Sequence, residues 1–121
     1  MKHVLIVDDN QMDRFITRSF VEKMGYVVHE IFDGNEIEHA LNLFSPDLII
    51  LDLLMPHKDG FETLEEIHRK DPAIPVVVLS CVAEEYKDKV DTLNAQACFQ
   101  KPYDAGEFME TVKRLIEQNP E

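Results

Sequence analysis

The chain has 121 residues, a length that suits one domain with a single hydrophobic core. Hydrophobic residues make up 45% of it, which is enough for a packed interior and too many for a disordered chain. Acidic residues number 24 against 12 basic ones, and the net charge of −12 argues against direct binding of nucleic acid or of an anionic membrane.

Nothing in the sequence indicates export or membrane insertion. Apolar runs such as 48–51 are far shorter than the ~18 residues of a membrane span. The segment Met-Lys-His that precedes the first aliphatic run is too short for a secretion signal. The two cysteines, Cys81 and Cys98, show neither CxxC nor metal-ligand spacing. We therefore expect a reduced cytoplasmic protein, in which a redox contact between these cysteines is disfavoured.

Apolar runs alternate with helical patterns along the whole chain. Continuous aliphatic or aromatic stretches predict five strands, at residues 3–7, 26–31, 47–51, 75–79 and 97–100. Apolar residues at helical spacing predict a helix after each strand. No linker or repeat interrupts the pattern, so residues 1–121 are expected to form one α/β domain, whose parallel sheet is covered by helices on both faces.

The first and last predicted helices carry distinctive patterns. The first has an apolar stripe that is expected to face the core. The members of this stripe are Met12, Phe15, Ile16, Phe20 and Met24. At the start of the last helix, Asp104 and Glu107 resemble an N-cap with its capping-box partner.

Polar residues stand at the carboxyl ends of the predicted strands. Asp8 and Asp9 follow the first strand, Asp52 follows the third, Ser80 the fourth and Lys101 the fifth. Parallel strands end at the same edge of a sheet, and ligands of open α/β sheets bind at that edge. We therefore expect these residues, which are distant in the sequence, to form one site.

Carboxylates crowded at one edge require a compensating positive charge. Asp8, Asp9 and Asp52 repel one another, and one lysine cannot offset them, so protons or a cation must be held there. Oxygen ligands with room for water suit Mg²⁺. With the cation bound, Asp52 could attack a phosphoryl group to give an aspartyl-phosphate, while Lys101 and the Ser80 hydroxyl stabilise the phosphoryl oxygens.

Each of these residues also has an ordinary structural interpretation. Asp9 or Asn10 could cap the first helix, and Asp52 could be a solvated loop acid. Lys101 and Pro102 could form a simple turn. Convergence of all of them on one edge favours the functional interpretation. The chain has no GxxxxGK[ST] or GxGxxG motif for a nucleotide and no zinc pattern among its scattered histidines.

Four segments in order, VLIVDDN, DLLMPHKDG, VVLSC and QKPYD, resemble the receiver domain of bacterial two-component response regulators, including the single-domain chemotaxis regulators. The resemblance implies a doubly wound, flavodoxin-like parallel sheet of five strands in the order 2-1-3-4-5, with five helices on both faces. It implies a phosphoacceptor that assists its own phosphorylation and dephosphorylation and is not an enzyme. The phosphoryl group would come from a sensor histidine kinase or a histidine phosphotransfer protein. A downstream protein would bind the modified state, and members of the family also form homodimers.

The matched positions imply a role for each site residue. Asp52 would be the phosphoacceptor, Lys101 would pair with the phosphoryl group, and the Ser80 hydroxyl would move toward it. The implied ligands of Mg²⁺ are Asp9 directly, Asp8 through water, Asp52, and the backbone carbonyl of Leu54. A cis peptide before Pro102 would aim Lys101 into the site. Asp59 and Gly60 would form a structural turn.

The sequence departs from the family pattern next to the acceptor. Cys98 occupies the position of an aromatic ring that usually changes rotamer, and the adjacent Phe99 is expected to face the opposite side of the sheet. Leu54 and Val82 would border the attacking water without hydrogen bonding to it, which predicts slow hydrolysis of the aspartyl-phosphate. Cys81 is larger than the usual residue and would narrow access to the acceptor.

Two other classes of function remain as alternatives. A pseudo-receiver would be a protein-interaction module whose acids take no phosphoryl group, and Cys98 leaves this alternative open. A phosphatase with an aspartate nucleophile needs a second acid where Leu54 stands, so it is disfavoured. The chain starts with Met1 and ends just after the last predicted helix, which favours a free-standing receiver. A domain excised from a larger regulator or hybrid kinase would have the same sequence pattern.

Overall fold

The computed structural model describes residues 1–118, which form a parallel sheet with helices on both faces. The strands are β1 (His3–Val7), β2 (Val27–Ile31), β3 (Leu48–Leu51), β4 (Val76–Ser80) and β5 (Ala97–Gln100). They pair in the order β2-β1-β3-β4-β5, and every pair is parallel. The chain therefore winds outward in both directions from β1, which confirms the predicted fold. The predicted end of the chain, residues 119–121, lies outside the described residues.

Three of the five helices within residues 1–118 begin at a side-chain cap. The five are α1 (Gln11–Lys23), α2 (Ile37–Phe44), α3 (Gly60–Lys70), α4 (Lys87–Thr92) and α5 (Ala105–Glu117), with a 3₁₀ turn (Gly34–Glu36) before α2. Asn10, Asp59 and Asp104 each accept a hydrogen bond from a first-turn backbone N–H of α1, α3 and α5, at 2.9, 2.9 and 2.8 Å. The predicted cap at Asp104 is thus confirmed, and α1 is capped by Asn10.

The core forms two layers because side chains alternate along each strand. Leu5 and Val7 of β1 pack with residues of α2, α3 and α4 on one face of the sheet. Val4 and Ile6 pack with residues of α1 and α5 on the other face. The central strands are therefore buried on both sides, which fixes the carboxyl edge of the sheet as a rigid platform. None of the helices within residues 1–118 has the length and apolar character needed to cross a bilayer.

The prediction that the apolar stripe of α1 faces the core is wrong for its first turns. Met12 is 67% exposed, Phe15 66% and Ile16 41%. Phe20 and Met24 do pack against the core as partly buried residues. The first two turns of α1 thus present apolar side chains to solvent.

The rotation of α1 follows from a charged residue that the sequence pattern did not reveal as buried. Arg14 is 8% exposed. Its guanidinium donates to the carbonyl of Asp8 at 2.8 Å and to the carboxylate of Glu30 at 3.2 Å, and it lies 3.8 Å from the ring centre of Phe32. Because these partners satisfy its charge, Arg14 occupies the inner face and the neighbouring apolar residues turn outward.

Candidate functional site

The carboxyl edge of the sheet brings together four of the residues predicted from the sequence. Asp8, Asp52 and Lys101 each follow the last residue of a strand, and Ser80 is the last residue of β4. The Asp52 amide donates to the carbonyl of Val7 at 2.9 Å, and the Lys101 amide donates to the carbonyl of Ser80 at 3.0 Å. These backbone bonds extend the sheet pairing by one residue and hold the site residues in fixed positions.

Lys101 is the centre of the site. Its ammonium lies 3.0 Å from a carboxylate oxygen of Asp8 and 3.2 Å from one of Asp52. It also lies 2.9 Å from Asp13, a residue that the sequence analysis did not select. Asp13 belongs to the first turn of α1, which starts at the same edge of the sheet. Its place on a helix, rather than at a strand end, is why the search of strand ends missed it.

The three acids form a group that fits a hard divalent cation. One oxygen of each of Asp8, Asp13 and Asp52 lies within 4.8 Å of the others. All donors are carboxylate oxygens, the type that Mg²⁺ prefers. Asp9 is exposed and is not in this group among the described residues, so its predicted role as a direct ligand stays a prediction. The same holds for the carbonyl of Leu54.

Burial sets the electrostatics of the site. Asp8 is 4% exposed, Asp52 7% and Ser80 0%. Burial raises the pKa of Asp8 to about 6, and the charge of Asp52 acts in the same direction, against the hydrogen bonds that Asp8 receives. Burial alone would lower the pKa of Lys101. The hydrogen bond to Asp13 and the charges of Asp52 and Asp8 more than offset this and raise that pKa above its usual value, so the side chain stays an ammonium.

The loop after Asp52 is shaped by a glycine at close range. A side-chain carbon on Gly60 would lie 2.5 Å from both the Asp52 carbonyl oxygen and the Cα of Leu53. Only glycine can approach the loop so closely. Leu54 donates its amide to a carboxylate oxygen of Asp52 at 3.1 Å, and the Leu54 residue is 50% exposed. The Asp52 carboxylate is therefore bound by a backbone donor on one oxygen and by Lys101 on the other.

The neighbourhood of Cys98 agrees with the predicted strand alternation. Cys98 packs against the core layer that contains α2, α3 and α4. Phe99 belongs to the other layer, where its ring contacts Phe108 edge-on at 5.9 Å. Cys98 and Cys81 are both free thiols. The peptide between Lys101 and Pro102 is cis, as the resemblance implied.

A second feature missed by the sequence analysis is the side chain of Gln100, which joins β5 to the loop after β4. Its amide oxygen accepts from the Glu84 amide at 2.8 Å, and its amide nitrogen donates to the carbonyls of Cys81 and Lys101. This pattern fixes the orientation of the amide, because the reverse orientation would place like groups together. The loop that starts at Ser80 is thus held at two points by one side chain.

A parallel five-stranded sheet in this order, with an acidic cluster and a lysine at its carboxyl edge, defines a doubly wound domain of the receiver type. A family model described as the response regulator receiver domain matches residues 4–113. The chain therefore belongs to the receiver domain family, whose members serve as signalling domains in two-component systems. Modification on an aspartate and use of Mg²⁺ are general features of this family.

Curated relatives include two response regulators. Response regulator RR06 of Streptococcus pneumoniae is 36% identical over 115 residues, which cover 94% of this chain and 52% of the relative. Transcriptional regulatory protein PhoP of Escherichia coli is 31% identical over 118 residues, covering 96% of this chain and 52% of the relative. The chain thus spans about half the length of the curated relatives it matches.

Solved structures agree with this fold. A CheY-like receiver domain protein from Methanospirillum hungatei superimposes with a TM-score of 0.90 at 24% identity, covering 98% of this chain and 96% of that one. Chemotaxis protein CheY4 of Vibrio cholerae superimposes with a TM-score of 0.85 at 26% identity, covering 95% and 98%. The first of these similarities concerns the fold alone.

Proposed function

We propose that residues 1–121 form one receiver domain that accepts a phosphoryl group on Asp52 and thereby changes its binding to a downstream protein. The donor would be a phosphohistidine of a sensor histidine kinase or of a histidine phosphotransfer protein. The observation that carries this proposal is the setting of Asp52: a buried carboxylate at the carboxyl edge of the sheet, 3.2 Å from the Lys101 ammonium.

The chemistry follows from the groups around Asp52. A carboxylate oxygen of Asp52 attacks the phosphorus, the phosphorus–nitrogen bond breaks, and the imidazole of the donor keeps the electron pair. Lys101 pairs with a phosphoryl oxygen, and the Ser80 hydroxyl donates to another. Mg²⁺ would be held by Asp8, Asp9, Asp52 and the carbonyl of Leu54. When bound, it would neutralise charge on the phosphoryl oxygens.

Exposed apolar residues on α1 support a protein donor. We define the α1 patch as Met12, Phe15 and Ile16, which are 67%, 66% and 41% exposed. Contiguous apolar side chains at a surface mark contact sites for proteins. Beside this patch, Ile16 and Phe20 line a cavity of about 450 Å³ that Lys101 also lines. A partner seated on α1 would therefore lie next to the acceptor.

The test is intact-mass spectrometry after incubation with acetyl phosphate, with and without Mg²⁺. The wild type is expected to gain one phosphoryl group in the presence of Mg²⁺ only, and Asp52→Ala none. Asp88→Ala, which removes an exposed acid of α4, serves as the matched control and should be modified like the wild type. No adduct on the wild type under any condition would contradict the proposal and leave a pseudo-receiver, a binding module whose acids are structural.

A further inference from the structure

Asp13 has no part in the proposed phosphoryl transfer, yet it makes the shortest of the contacts to the Lys101 ammonium. Its carboxylate lies 2.9 Å from the nitrogen, against 3.0 Å for Asp8 and 3.2 Å for Asp52. We propose that Asp13 is a positioning residue that holds Lys101 in the resting protein and competes with the phosphoryl group on Asp52 for it. This inference rests on the proposed function.

The competition follows from the number of donors that a lysine has. An ammonium carries three N–H groups, and in this structure three carboxylates surround it. When Asp52 is phosphorylated, the donor now directed at Asp52 can turn to one phosphoryl oxygen, while Asp8 and Asp13 keep the other two donors. A second contact between Lys101 and the phosphoryl group requires Lys101 to release Asp8 or Asp13.

Asp13 is the partner that Lys101 can release at least cost. The Asp8 side chain is 5% exposed and also accepts a hydrogen bond from the Asn10 amide at 2.9 Å, so it is fixed in place. The Asp13 side chain is 37% exposed, and water can solvate it once Lys101 has moved. Until then, its negative charge repels an incoming phosphoryl dianion. Asp13 thus stabilises the resting arrangement at the expense of the phosphorylated one.

The substitution Asp13→Asn removes the charge and keeps the helix start. The bond that caps α1 runs from the Asp13 backbone amide to the Asn10 side chain at 2.9 Å, so it does not depend on the carboxylate. Glu62→Gln is the matched control, because Glu62 is an exposed acid whose amide donates in the same way to the cap of α3. Both changes remove one negative charge from the first turn of a helix.

The diagnostic feature is that two ligands respond in opposite directions. Mg²⁺ is attracted by the Asp13 charge, so Asp13→Asn is expected to weaken Mg²⁺ binding. Beryllofluoride, which coordinates a carboxylate and imitates a phosphoryl group, is repelled by that charge, so its binding at saturating Mg²⁺ should become roughly three- to tenfold tighter. General structural damage would weaken the binding of both ligands.

The experiment is isothermal titration calorimetry with MgCl₂ alone, and then with beryllofluoride at saturating Mg²⁺, on wild type, Asp13→Asn, Asp13→Ser and Glu62→Gln. We expect the opposite shifts in both Asp13 variants and less than about a twofold change in the control. Beryllofluoride binding that is unchanged or weaker in both folded Asp13 variants, with normal binding to the wild type, overturns this inference alone. Failure of beryllofluoride to bind the wild type overturns the proposed function, and this inference with it.

Discussion

Leu54 and Val82 each stand two residues after a site residue, Asp52 and Ser80, and neither side chain can form a hydrogen bond to water. Leu54 is 50% exposed and directly follows the buried loop residue Leu53. In an aspartyl-phosphate, the water that attacks phosphorus must be held in line, and a polar side chain can orient it. An apolar residue at this position cannot do so.

We therefore expect Leu54→Asn to shorten the lifetime of the aspartyl-phosphate, roughly three- to tenfold, because the introduced amide can orient the attacking water. The lifetime is measured by intact mass after the phosphodonor is removed. Leu43→Asn is the control, since Leu43 is an exposed leucine on the last turn of α2. An unchanged lifetime in Leu54→Asn would contradict the slow-hydrolysis hypothesis.

His29 is an imidazole that the fold favours in the neutral state. One ring nitrogen lies 2.8 Å from a ring nitrogen of His3, and its ring stacks on Phe44 with centres 4.0 Å apart. Burial lowers the pKa of His29, and the charges of His3 and Arg18 lower it further. The His29 imidazole thus binds a proton less readily in the folded protein than in the unfolded chain.

The sign of the resulting pH dependence is fixed. The unfolded His29 has a pKa of about 6.5, so the contribution of His29 to stability falls as pH drops through that value and continues to fall down to the lower folded pKa. Urea unfolding at about pH 7.5 and 5.5 measures the loss. We expect His29→Gln to reduce the pH dependence and His39→Gln, at an exposed position on α2, to leave it unchanged. Equal pH dependence in wild type and His29→Gln would contradict this account.

At the scale of elements, the side chain of Gln100 gives order to the loop between β4 and α4. Gln100→Leu keeps the approximate size of the side chain and removes its hydrogen bonds to the loop. Each such bond contributes about 1 kcal/mol, so we expect the Glu84 amide to exchange with solvent roughly five- to tenfold faster. Hydrogen exchange followed by NMR measures this rate.

A glutamine next to the same strand offers a matched control for Gln100→Leu. Gln96, the residue before β5, accepts a hydrogen bond from the Val76 amide at 2.7 Å through its side chain. Gln96→Leu should speed exchange at Val76 and leave Glu84 unchanged. If both substitutions affected Glu84 alike, the loop would be responding to general destabilisation of β5 and not to the loss of one side chain.

Sequence reasoning succeeded for strand ends and failed for one helix face, that of the first turns of α1. Asp8, Asp52 and Lys101 were found because the end of a parallel strand fixes both their position and the edge they share. The face of α1 depends on Arg14, whose partner Glu30 belongs to another element. Asp13 was missed for the same reason, since the rotation of a helix about its axis is decided by contacts that periodicity alone does not contain.

At the scale of the whole molecule, Lys101 of the candidate site and the exposed Ile16 of α1 line the same cavity of an acidic domain. The net charge of −12 favours approach of a partner with a basic rim. The α1 patch then supplies apolar contact area for the docked complex. A small phosphodonor needs neither of these features.

A substitution in the α1 patch should therefore affect phosphoryl transfer from a protein donor but not from a small phosphodonor. We expect Phe15→Ser to slow transfer from autophosphorylated histidine kinases by at least about fivefold, because truncating an aromatic residue that anchors a protein contact costs more than ~1 kcal/mol. Modification by acetyl phosphate should be unchanged. Leu43→Ser, at a leucine that is 61% exposed on α2, is the control. Slower reaction with both donors would indicate damage to the site, and no change with either would exclude the α1 patch from docking.

Because Met12 and Asp13 are adjacent, the choice of kinase and the charge beside Lys101 cannot be changed independently. Met12 contributes to the α1 patch, and Asp13 contacts Lys101, the lysine proposed to pair with the phosphoryl group. Exchanging the first turn of α1 to redirect the domain to a different kinase would also change the charge beside Lys101. The lifetime of the phosphorylated state would then change together with the choice of kinase. A variant with an exchanged α1 would therefore need a second change that restores this lifetime.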